Sequence, residues 1–343
     1  MNNIGIFILN YNGLYWLKQN VKKLIEESSH SDIIVIDNNS TDSSVKYLKT
    51  HFPQIKVKIN DENYGFCKGY NNILLKENKY KYFVLINNDV EVTANWIEPM
   101  LEVIKNKKIG IVQPKILNYQ HRNQFDYAGA AGGFLDILGL PFCRGRIINN
   151  IEFDNNQYSN NIPISWAAGC CFMIKSDLYH ALNGFDEDLF MHQEEIDLCW
   201  RAHDLNNKVY YCHNSTVYHV GGGSLSYNNP IKSFYNHRNN LLLILKNMPY
   251  KHLIIALPIR IMIDYLIIIL LSIQSISNIF IMDWSRKKIK RAKAIIQAHW
   301  SFLFWIPRFI AKRKPIHKLK ILYNKVIMIE YYLKQRRKFS ELK

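Results

Sequence analysis

The stretch that decides the fold is residues 33–42, which read IIVIDNNSTD. Its first half, Ile33–Asp37, is a short and continuous run of β-branched apolar residues. Such a run is typical of a strand that is buried on both faces of a parallel sheet. Its second half consists of Asn, Asp, Ser and Thr, which favour turns and helix starts. The stretch therefore predicts a buried strand that ends in a polar turn.

The same unit recurs on both sides of this stretch. Further strands are predicted at Ile4–Leu9, Ile55–Ile59 and Tyr82–Ile86, and helices at Leu14–Ile25, from about Thr41, and at about Lys68–Glu77. Strands that alternate with helices indicate an α/β fold with a mostly parallel sheet flanked by helices. The periodicity weakens between Ile111 and Pro163, where Gly129–Gly133 and Gly139–Gly145 resemble loops. An amphipathic helix over Ser233–Lys246 closes this part, which we predict to be one domain of residues 1–245.

Polar side chains follow three of these predicted strands. They stand in the segments Asn10-Tyr11-Asn12, Asp37-Asn38-Asn39 and Asn87-Asn88-Asp89. Because ligands of open α/β sheets bind beyond the carboxyl ends of the strands, we expect the three loops to face one crevice. No P-loop and no G-x-G-x-x-G run accompanies them, which disfavours a Walker-type NTPase and a dinucleotide-binding site.

The formal net charge of +16 is concentrated in the last third of the chain. Residues 1–245 carry 23 Lys and Arg against 24 Asp and Glu, whereas residues 246–343 carry 21 against 4. A surplus of this size favours polyanionic partners. The basic residues are interleaved with apolar runs such as Leu266–Leu271 and Phe302–Ile306. We therefore predict a helical, basic extension over 246–343 that associates with an anionic membrane surface and binds no nucleic acid.

Cysteine usage and hydropathy bear on where the protein acts. The six cysteines form no C-x-x-C pair, and we expect them to be reduced and mostly buried in a cytosolic compartment. Ile4–Leu9 is too short to be a signal peptide. Tyr265–Met282 is free of charge, but its several polar residues make it a weak transmembrane candidate. We expect a cytoplasmic protein that binds the inner face of the cell membrane peripherally, and a single span at 265–282 stays open.

Three sites carry candidate chemistry. Asp89 follows a buried strand and suits a hard divalent cation, although a capped turn would explain it equally plainly. Glu194 and Glu195 open a predicted helix, where acids also satisfy the helix dipole. Because adjacent carboxylates repel each other, one of the two beside an apolar wall would have a raised pKa and suit a general base. His219 precedes three glycines, which fits a structural hydrogen bond or a close approach to a ligand.

Taken together, these stretches resemble the family-two glycosyltransferases, and most closely their rhamnosyltransferase-like branch. The matching segments keep the family's order over about residues 4–245: Ile8–Gly13, Val35–Asp42, Asn63–Phe66 with Gly69 and Asn71-Asn72, Leu85–Asp89, Trp166–Gly169, Gly184–Glu187, Glu194–Arg201, and His219 with its glycines. Each motif alone is weak, whereas the ordered set is specific.

The resemblance implies a GT-A fold and an inverting transfer of a sugar from a UDP- or dTDP-linked donor to a glycan or lipid-linked acceptor. Glu195 would be the catalytic base, and Asp89 with His219 would hold Mg²⁺ or Mn²⁺ on the donor diphosphate. Trp166 and Glu194 would contact the acceptor. The nucleotide-sugar would be bound by Asn10, Asn12, Asp37, Asn39, Asn63, Gly65, Asn88 and Arg238. For Arg238 a packing role is an equal alternative, and Arg201 is expected to pair within the fold.

The sequence departs from the family pattern in two places. The segment Asn87-Asn88-Asp89 has one carboxylate where the family often has Asp-x-Asp, so we expect weak metal binding without the donor. The base is Glu rather than the commoner Asp. No Gln-x-x-Arg-Trp motif is present, so a processive synthase is not expected. Two other functions stay open: a nucleotidyltransferase acting on a sugar phosphate, and a nucleic-acid-binding protein that uses the basic tail.

Overall fold

The computed structural model describes residues 3–221, 229–277, 282–314 and 321–342. Its first part alternates strands and helices as the sequence predicts. The elements are β1 (Ile4–Asn10), α1 (Leu14–Glu26), β2 (Asp32–Asp37), α2 (Ser44–His51), β3 (Lys56–Ile59), α3 (Gly65–Leu74) and β4 (Tyr82–Asn87). The four strands are parallel, in the order β4, β1, β2, β3. Asn10 pairs with Asp37, and Leu9 with Asn87, so these strands end level at one edge.

The same sheet continues beyond β4 with strands from later in the chain. These elements are β5 (Val90–Val92), α4 (Ile97–Ile104), β6 (Ile109–Asn118), β11 (Ile162–Ile164), β12 (Cys171–Lys175), α5 (Ser176–Ala181), α6 (Glu194–Asp204) and β13 (Lys208–His219). Strand β12 runs antiparallel between β4 and β6, and β13 runs parallel to β6. The sheet is therefore mixed but mostly parallel, and its core contains fully buried Tyr70, Trp96 and Trp200.

A small second sheet occupies the region in which the sequence pattern weakens. Its strands are β7 (Gly133–Asp136), β8 (Pro141–Cys143), β9 (Arg146–Ile147), β10 (Asn150–Ile151) and β14 (Leu322–Tyr323). The prediction of loops at both glycine-rich stretches was therefore wrong in part. A Cβ atom on Gly133 would lie 2.2 Å from the Trp166 ring. Glycine here lets a strand pass directly against an indole, and that contact leaves no periodic signal in the sequence.

The C-terminal part is helical and folds back on the body. It contains α7 (Pro230–Asn247), α8 (Tyr250–Ser277), α9 (Met282–Ala311) and α10 (Ile327–Tyr332). Helix α9 packs along α7 and α8. Lys312 forms ion pairs with Asp186 and Asp188, and β14 pairs in parallel with β7. The predicted helical extension is therefore present, and its last strand joins the small sheet of the preceding region.

Candidate active site

A cluster of polar side chains connects the carboxyl ends of β1, β2 and β4; we call Asn10, Asp37, Ser40 and Asn88 the strand-edge cluster. The Asn10 Nδ2 atom donates to Asp37 Oδ2 at 2.9 Å, and Asn88 Nδ2 donates to Asn10 Oδ1 at 2.9 Å. The backbone N–H and the hydroxyl of Ser40 each donate to Asp37 at 2.7 Å. Asn10 and Asp37 are almost fully buried. The level strand ends thus bring three predicted nucleotide-binding residues into one network.

Asn12 connects the loop after β1 to the loop after β2, and Asn39 connects the loop after β2 to the loop after β3; both have a left-handed backbone. The Asn12 Oδ1 atom accepts from the backbone N–H of Thr41 at 2.8 Å and of Asp42 at 3.2 Å. The Asn39 Nδ2 atom donates to the carbonyl of Asp61 at 3.0 Å. Asn tolerates this backbone conformation better than most residues, so both asparagines shape the loops that border the cluster.

Asn63 lies near the end of the loop after β3, and Gly65 begins α3. The Gly65 N–H donates to Asn63 Oδ1 at 3.1 Å, and Asn38 Nδ2 donates to the Gly65 carbonyl at 2.8 Å. Gly65 has φ +69°, and a Cβ atom there would lie 2.5 Å from the ring of Phe190. Only glycine meets both conditions, so this residue fixes where the loop passes the ring.

A cavity of about 510 Å³ collects five further predicted site residues, and its described wall includes Asn87, the neighbour of Asn88, but no member of the strand-edge cluster itself. Its wall includes Asp89, Trp166, Glu194, Glu195 and His219. The sheet explains how distant residues meet here, because His219 at the end of β13 pairs with Val90 of β5. The Val220 N–H also donates to the Asp89 carbonyl at 3.2 Å.

Asp89, His219 and Asp126 form a line of close contacts in this wall. His219 Nε2 lies 3.5 Å from Asp89 Oδ1, and its Nδ1 lies 3.2 Å from Asp126 Oδ2. The Asp126 Oδ1 atom is buried and has no hydrogen-bond partner among the described residues. Burial alone would lower the pKa of His219, but Cys170, Asp126 and Asp89 raise it well above its usual value.

This donor set fits a divalent cation. Carboxylate oxygens and neutral imidazole nitrogen are ordinary ligands of Mn²⁺, and an unpartnered buried carboxylate oxygen suits a cation. A cation held by His219 would have to displace the proton that the neighbouring acids favour on its ring. Within the described residues, no three His, Cys, Asp or Glu side chains are arranged to hold a metal by themselves. A cation bound here would therefore need ligands other than these side chains, such as oxygens of a bound diphosphate.

Glu194 and Glu195, which we call the acid pair, are the first two residues of α6, and the backbone directly before them is strained. His192 and Gln193 both have positive φ, which places the first turn of the helix at the cavity wall. One carboxylate oxygen of each glutamate is buried without a hydrogen-bond partner among the described residues. Burial raises the pKa of Glu195 to about 7, and burial together with Glu195 raises the pKa of Glu194 well above its usual value. The pair thus has the raised pKa that the sequence predicts for a general base.

Two other predicted residues are more enclosed than expected. Trp166 lines the cavity, but it is 3% exposed and its indole N–H donates to the Phe134 carbonyl at 2.9 Å. Arg238 is absent from the described cavity wall. Its guanidinium donates to Asn239 Oδ1 at 2.8 Å and lies 5.0 Å from the ring centre of Tyr235. These contacts support the packing alternative for Arg238 and give its diphosphate role no support.

Comparison with known proteins identifies the family. The model of glycosyl transferase family 2 matches residues 5–182, which is just over half of the chain. The chain belongs to glycosyl transferase family 2. The match covers the strand-edge cluster, Asp89 and Trp166, whereas the acid pair and His219 lie beyond it.

Curated relatives of this family-2 chain are glycan-building enzymes. The low-salt glycan biosynthesis hexosyltransferase Agl10 of Haloferax volcanii is 24% identical over 217 residues, which is 62% of this chain and 65% of Agl10. Rhamnosyltransferase WbbL of Escherichia coli is 22% identical over 61% of this chain and 80% of its own length. The N-acetylglucosaminyl-diphospho-decaprenol L-rhamnosyltransferase of Mycobacterium tuberculosis is 21% identical over 48% of this chain and 59% of its own. The chain thus spans just under two thirds of Agl10.

Solved structures confirm the GT-A fold. Mannosyltransferase PcManGT of Pyrobaculum calidifontis, in complex with GDP-Man and Mn²⁺, superposes with a TM-score of 0.52 and 12% identity over 88% of this chain and 87% of its own. GalNAc-T7, with UDP, GalNAc and Mn²⁺, gives a TM-score of 0.55 and 17% identity over 71% of this chain and 48% of its own. At these identities the likeness shows the fold alone.

The cavity of this family-2 chain also contains residues that the sequence patterns did not predict. They are Asp126, Arg146, Lys232, Arg260 and Arg291. Asp126 lies in the region of weak periodicity, and the others stand on elements whose contact with the cavity depends on tertiary packing. The predicted internal pairing of Arg201 is confirmed, since its Nε lies 2.7 Å from Asp197 Oδ2. All six cysteines are free and buried, as predicted.

Proposed function

We propose that this chain is an inverting, metal-dependent glycosyltransferase that moves a sugar from a nucleoside-diphosphate sugar to a hydroxyl of a lipid-linked glycan acceptor. One observation carries the proposal: the acid pair faces the same cavity as Asp89 and His219. The base would deprotonate the acceptor hydroxyl, and a cation held by Asp89 would stabilise the leaving diphosphate. Both parts of a displacement reaction could therefore take place in this one cavity.

The chemistry follows from the placement of Glu195. Its carboxylate takes the proton of the acceptor hydroxyl while that oxygen forms a bond to the anomeric carbon. The bond from the anomeric carbon to the diphosphate oxygen breaks, and the nucleoside diphosphate leaves with the electron pair. Because the attack is in line, the configuration inverts. A single base suffices, in contrast to the two carboxylates of a glycosidase.

The strand-edge cluster supports the donor side of the proposal. Asp37 would hold the base of the nucleotide, and Asn10, Asn12, Asn39, Asn63, Gly65 and Asn88 would form the rest of its binding surface. Asp89 and His219 would hold Mg²⁺ or Mn²⁺, and the Mn²⁺ in both structural neighbours supports a divalent ion. Such an ion, when bound, neutralises the charge that develops on the leaving diphosphate.

A donor screen tests this function most directly. Purified protein with Mn²⁺ would be incubated with UDP-, dTDP- and GDP-sugars and a lipid-linked sugar acceptor, with release of nucleoside diphosphate as the readout. We expect release with one donor group and an inverted linkage in the product. Release of pyrophosphate from a nucleoside triphosphate and a sugar phosphate would instead identify a nucleotidyltransferase. Asp89→Asn should lower the turnover at least roughly a hundredfold, because an interaction with the leaving diphosphate is worth several kcal/mol.

The outer face of the C-terminal helices supports action at a membrane. Among the described residues, Tyr250–Ile276 is the one stretch of helix long and apolar enough to cross a membrane, by length and composition. Its exposed apolar side chains include Ile254, Ile255, Leu266, Leu270 and Ile276, and helix α9 adds Trp300 and Phe304. The charged Asp264 within α8 is fully buried against protein partners. We propose that this face lies on the cytoplasmic surface of the membrane without spanning it.

Vesicle flotation tests this placement. The protein should float with anionic vesicles more than with neutral ones, and replacing Trp300 and Phe304 together by Ser should reduce flotation severalfold because both side chains are largely exposed. Leu205→Ser is the matched control, since Leu205 is a half-exposed leucine on the body. Salt-sensitive binding to DNA or RNA without vesicle binding would favour the nucleic-acid alternative.

A further inference from the structure

Two arginines of the C-terminal helices line the same cavity as the acid pair. They are Arg260 of α8 and Arg291 of α9. Both lie outside residues 5–182, which the family model matches. The cavity is therefore completed by a part of the chain that is not described by the family pattern, and that part contributes positive charge.

Arg260 is held in place by a buried polar network. It is 3% exposed, its Nε donates to Asn240 Oδ1 at 3.3 Å, and its guanidinium lies 3.4 Å from Asp264 Oδ1. Asp264 also lies 3.0 Å from the ring nitrogens of His237 and His299. Asp264 thus anchors the Arg260 guanidinium and also contacts both histidines, so the network fixes the position of Arg260 at this end of the cavity.

The network also places Arg260 close to the catalytic turn. The Asn240 Nδ2 atom donates to the Gly139 carbonyl at 2.9 Å and to Gln193 Oε1 at 3.3 Å. Gln193 directly precedes the acid pair. A ligand that contacts Arg260 would therefore lie close to the proposed base.

The other cavity cations belong to a different neighbourhood. Lys232 lies within electrostatic range of Asp126, and Arg146 Nε donates to the Tyr127 carbonyl at 2.9 Å. This group borders the proposed metal site, where the donor diphosphate would bind. Arg260 contacts Asn240 and Asp264 instead. The cavity wall thus has cations near Asp126 and cations from α8 and α9, which suits two anionic groups.

The helices that carry the two arginines also carry the exposed apolar face. Ile255 and Met262 of α8, and Ile289 and Ile296 of α9, are exposed within five residues of an arginine. A ligand with a phosphate and a long apolar chain would match this combination, because the phosphate pairs with guanidinium and the chain lies on the apolar face.

We propose that Arg260 and Arg291 bind the phosphate of a lipid-phosphate-linked acceptor, and so position its sugar hydroxyl at Glu195. The inference rests on the proposed function. By this inference the C-terminal helices select the acceptor, and they recognise its phosphate rather than its lipid chain alone.

Kinetics with two acceptors test the inference. One acceptor is a sugar linked through diphosphate to a long-chain isoprenoid, and the other is the same sugar on a neutral alkyl chain. Arg291→Gln should raise KM for the diphosphate acceptor about tenfold or more, since a charge-assisted hydrogen bond is worth roughly 1.5–3 kcal/mol, and should leave KM for the neutral acceptor and the donor unchanged. Arg286→Gln is the matched control, because Arg286 is exposed on α9 and absent from the described cavity wall.

A second variant covers the buried arginine. Arg260→Lys keeps the charge near Asp264 but loses the planar fork, so it should fold with little change in Tm and raise the same KM. Equal effects on both acceptors, or no effect on either, would overturn the inference. The assays use neutral detergent and are repeated with anionic vesicles. An effect seen only with the vesicles would show that the arginines bind bulk lipid, and would also overturn it.

The inference and the proposed function fail in different ways. If the unmodified protein transfers no sugar to either acceptor with any donor, the proposed function is wrong. If it transfers sugar and Arg291→Gln behaves as Arg286→Gln does, the function stands and only the phosphate site is wrong.

Discussion

The strand-edge cluster and the acid pair differ in how completely their buried carboxylates are hydrogen-bonded. In the cluster, the carboxylate of Asp37 accepts hydrogen bonds from Asn10 and from both donors of Ser40. In the acid pair, one carboxylate oxygen on each of Glu194 and Glu195 is buried without a described partner. A satisfied network is rigid and inexpensive to bury, whereas an unsatisfied carboxylate is destabilising and reactive.

This difference matches a division of labour. A binding surface for a nucleotide gains from being preorganised before the ligand arrives. A general base gains from a pKa near the working pH, and burial raises the pKa of Glu195 to that range although backbone hydrogen bonds act in the opposite direction. In both regions the hydrogen bonding of a buried carboxylate decides its role: a fully hydrogen-bonded carboxylate suits binding, and an incompletely hydrogen-bonded one suits proton transfer. The two regions should therefore respond differently to substitution.

The largest difference should appear in catalytic turnover. Glu195→Gln removes the proposed base with little change in shape, so kcat should fall by roughly 10²–10⁴-fold while the donor KM stays within a few fold. Glu102→Gln is the control, because Glu102 is an exposed residue of α4. Retention of more than a tenth of the wild-type kcat by Glu195→Gln would exclude Glu195 as the base.

The acid pair should also set the pH dependence of turnover. Since burial raises the pKa of Glu195 to about 7, the base is mostly protonated at pH 5 and mostly ionised at pH 8. The kcat should therefore rise roughly a hundredfold over this range, with a midpoint near pH 7. In Glu194→Gln the midpoint should stay near pH 7, because burial is the main cause of the shift. A pH-independent kcat, or a midpoint near 4, would contradict the assignment.

A change in the strand-edge cluster should act on binding rather than turnover. Asp37→Asn keeps the shape of the side chain but removes its charge, so we expect the donor KM to rise about 10–100-fold and kcat to change less. Asp61→Asn serves as control, since Asp61 is exposed and contributes its backbone carbonyl to the neighbouring loop. A fall in kcat at unchanged KM would place Asp37 on the catalytic side of the comparison.

The two regions also differ in how far the sequence predicts them. Asn10, Asp37 and Asn88 follow apolar strands directly, and the level ends of parallel strands bring them together without any further information. The alternation predicts parallel strands, whereas their order, β4, β1, β2 and β3, comes from the structure alone. Each prediction here needs only local spacing.

The acceptor side depends on packing that local spacing does not encode. Asp126 contacts His219 across the fold, and Arg260 reaches the cavity because α8 packs against α7. Arg238 is an example: the segment Tyr235–Asn239 left an even choice between two roles, and the structure places its guanidinium against Asn239 and aromatic rings, which favours the packing role. Contacts between elements distant in sequence decide such cases.

The smallest expected effect concerns stability. The pKa of Glu195 in the folded protein, about 7, is above the roughly 4.3 of an unfolded Glu, so the folded state binds more protons between these values. The free energy of unfolding should therefore fall as pH rises from about 4 to 7 and change no further because of this group. Glu195→Gln removes the cost of ionising a buried carboxylate. The free energy of unfolding of this variant should therefore exceed that of the wild type by about 1 kcal/mol or more at pH 8, but not at pH 4.5. Urea unfolding at both pH values measures this, with Glu102→Gln expected to show no such difference. A destabilised Glu195→Gln at pH 8 would mean that the carboxylate is stabilising the fold, and the acid pair would then resemble the strand-edge cluster rather than contrast with it.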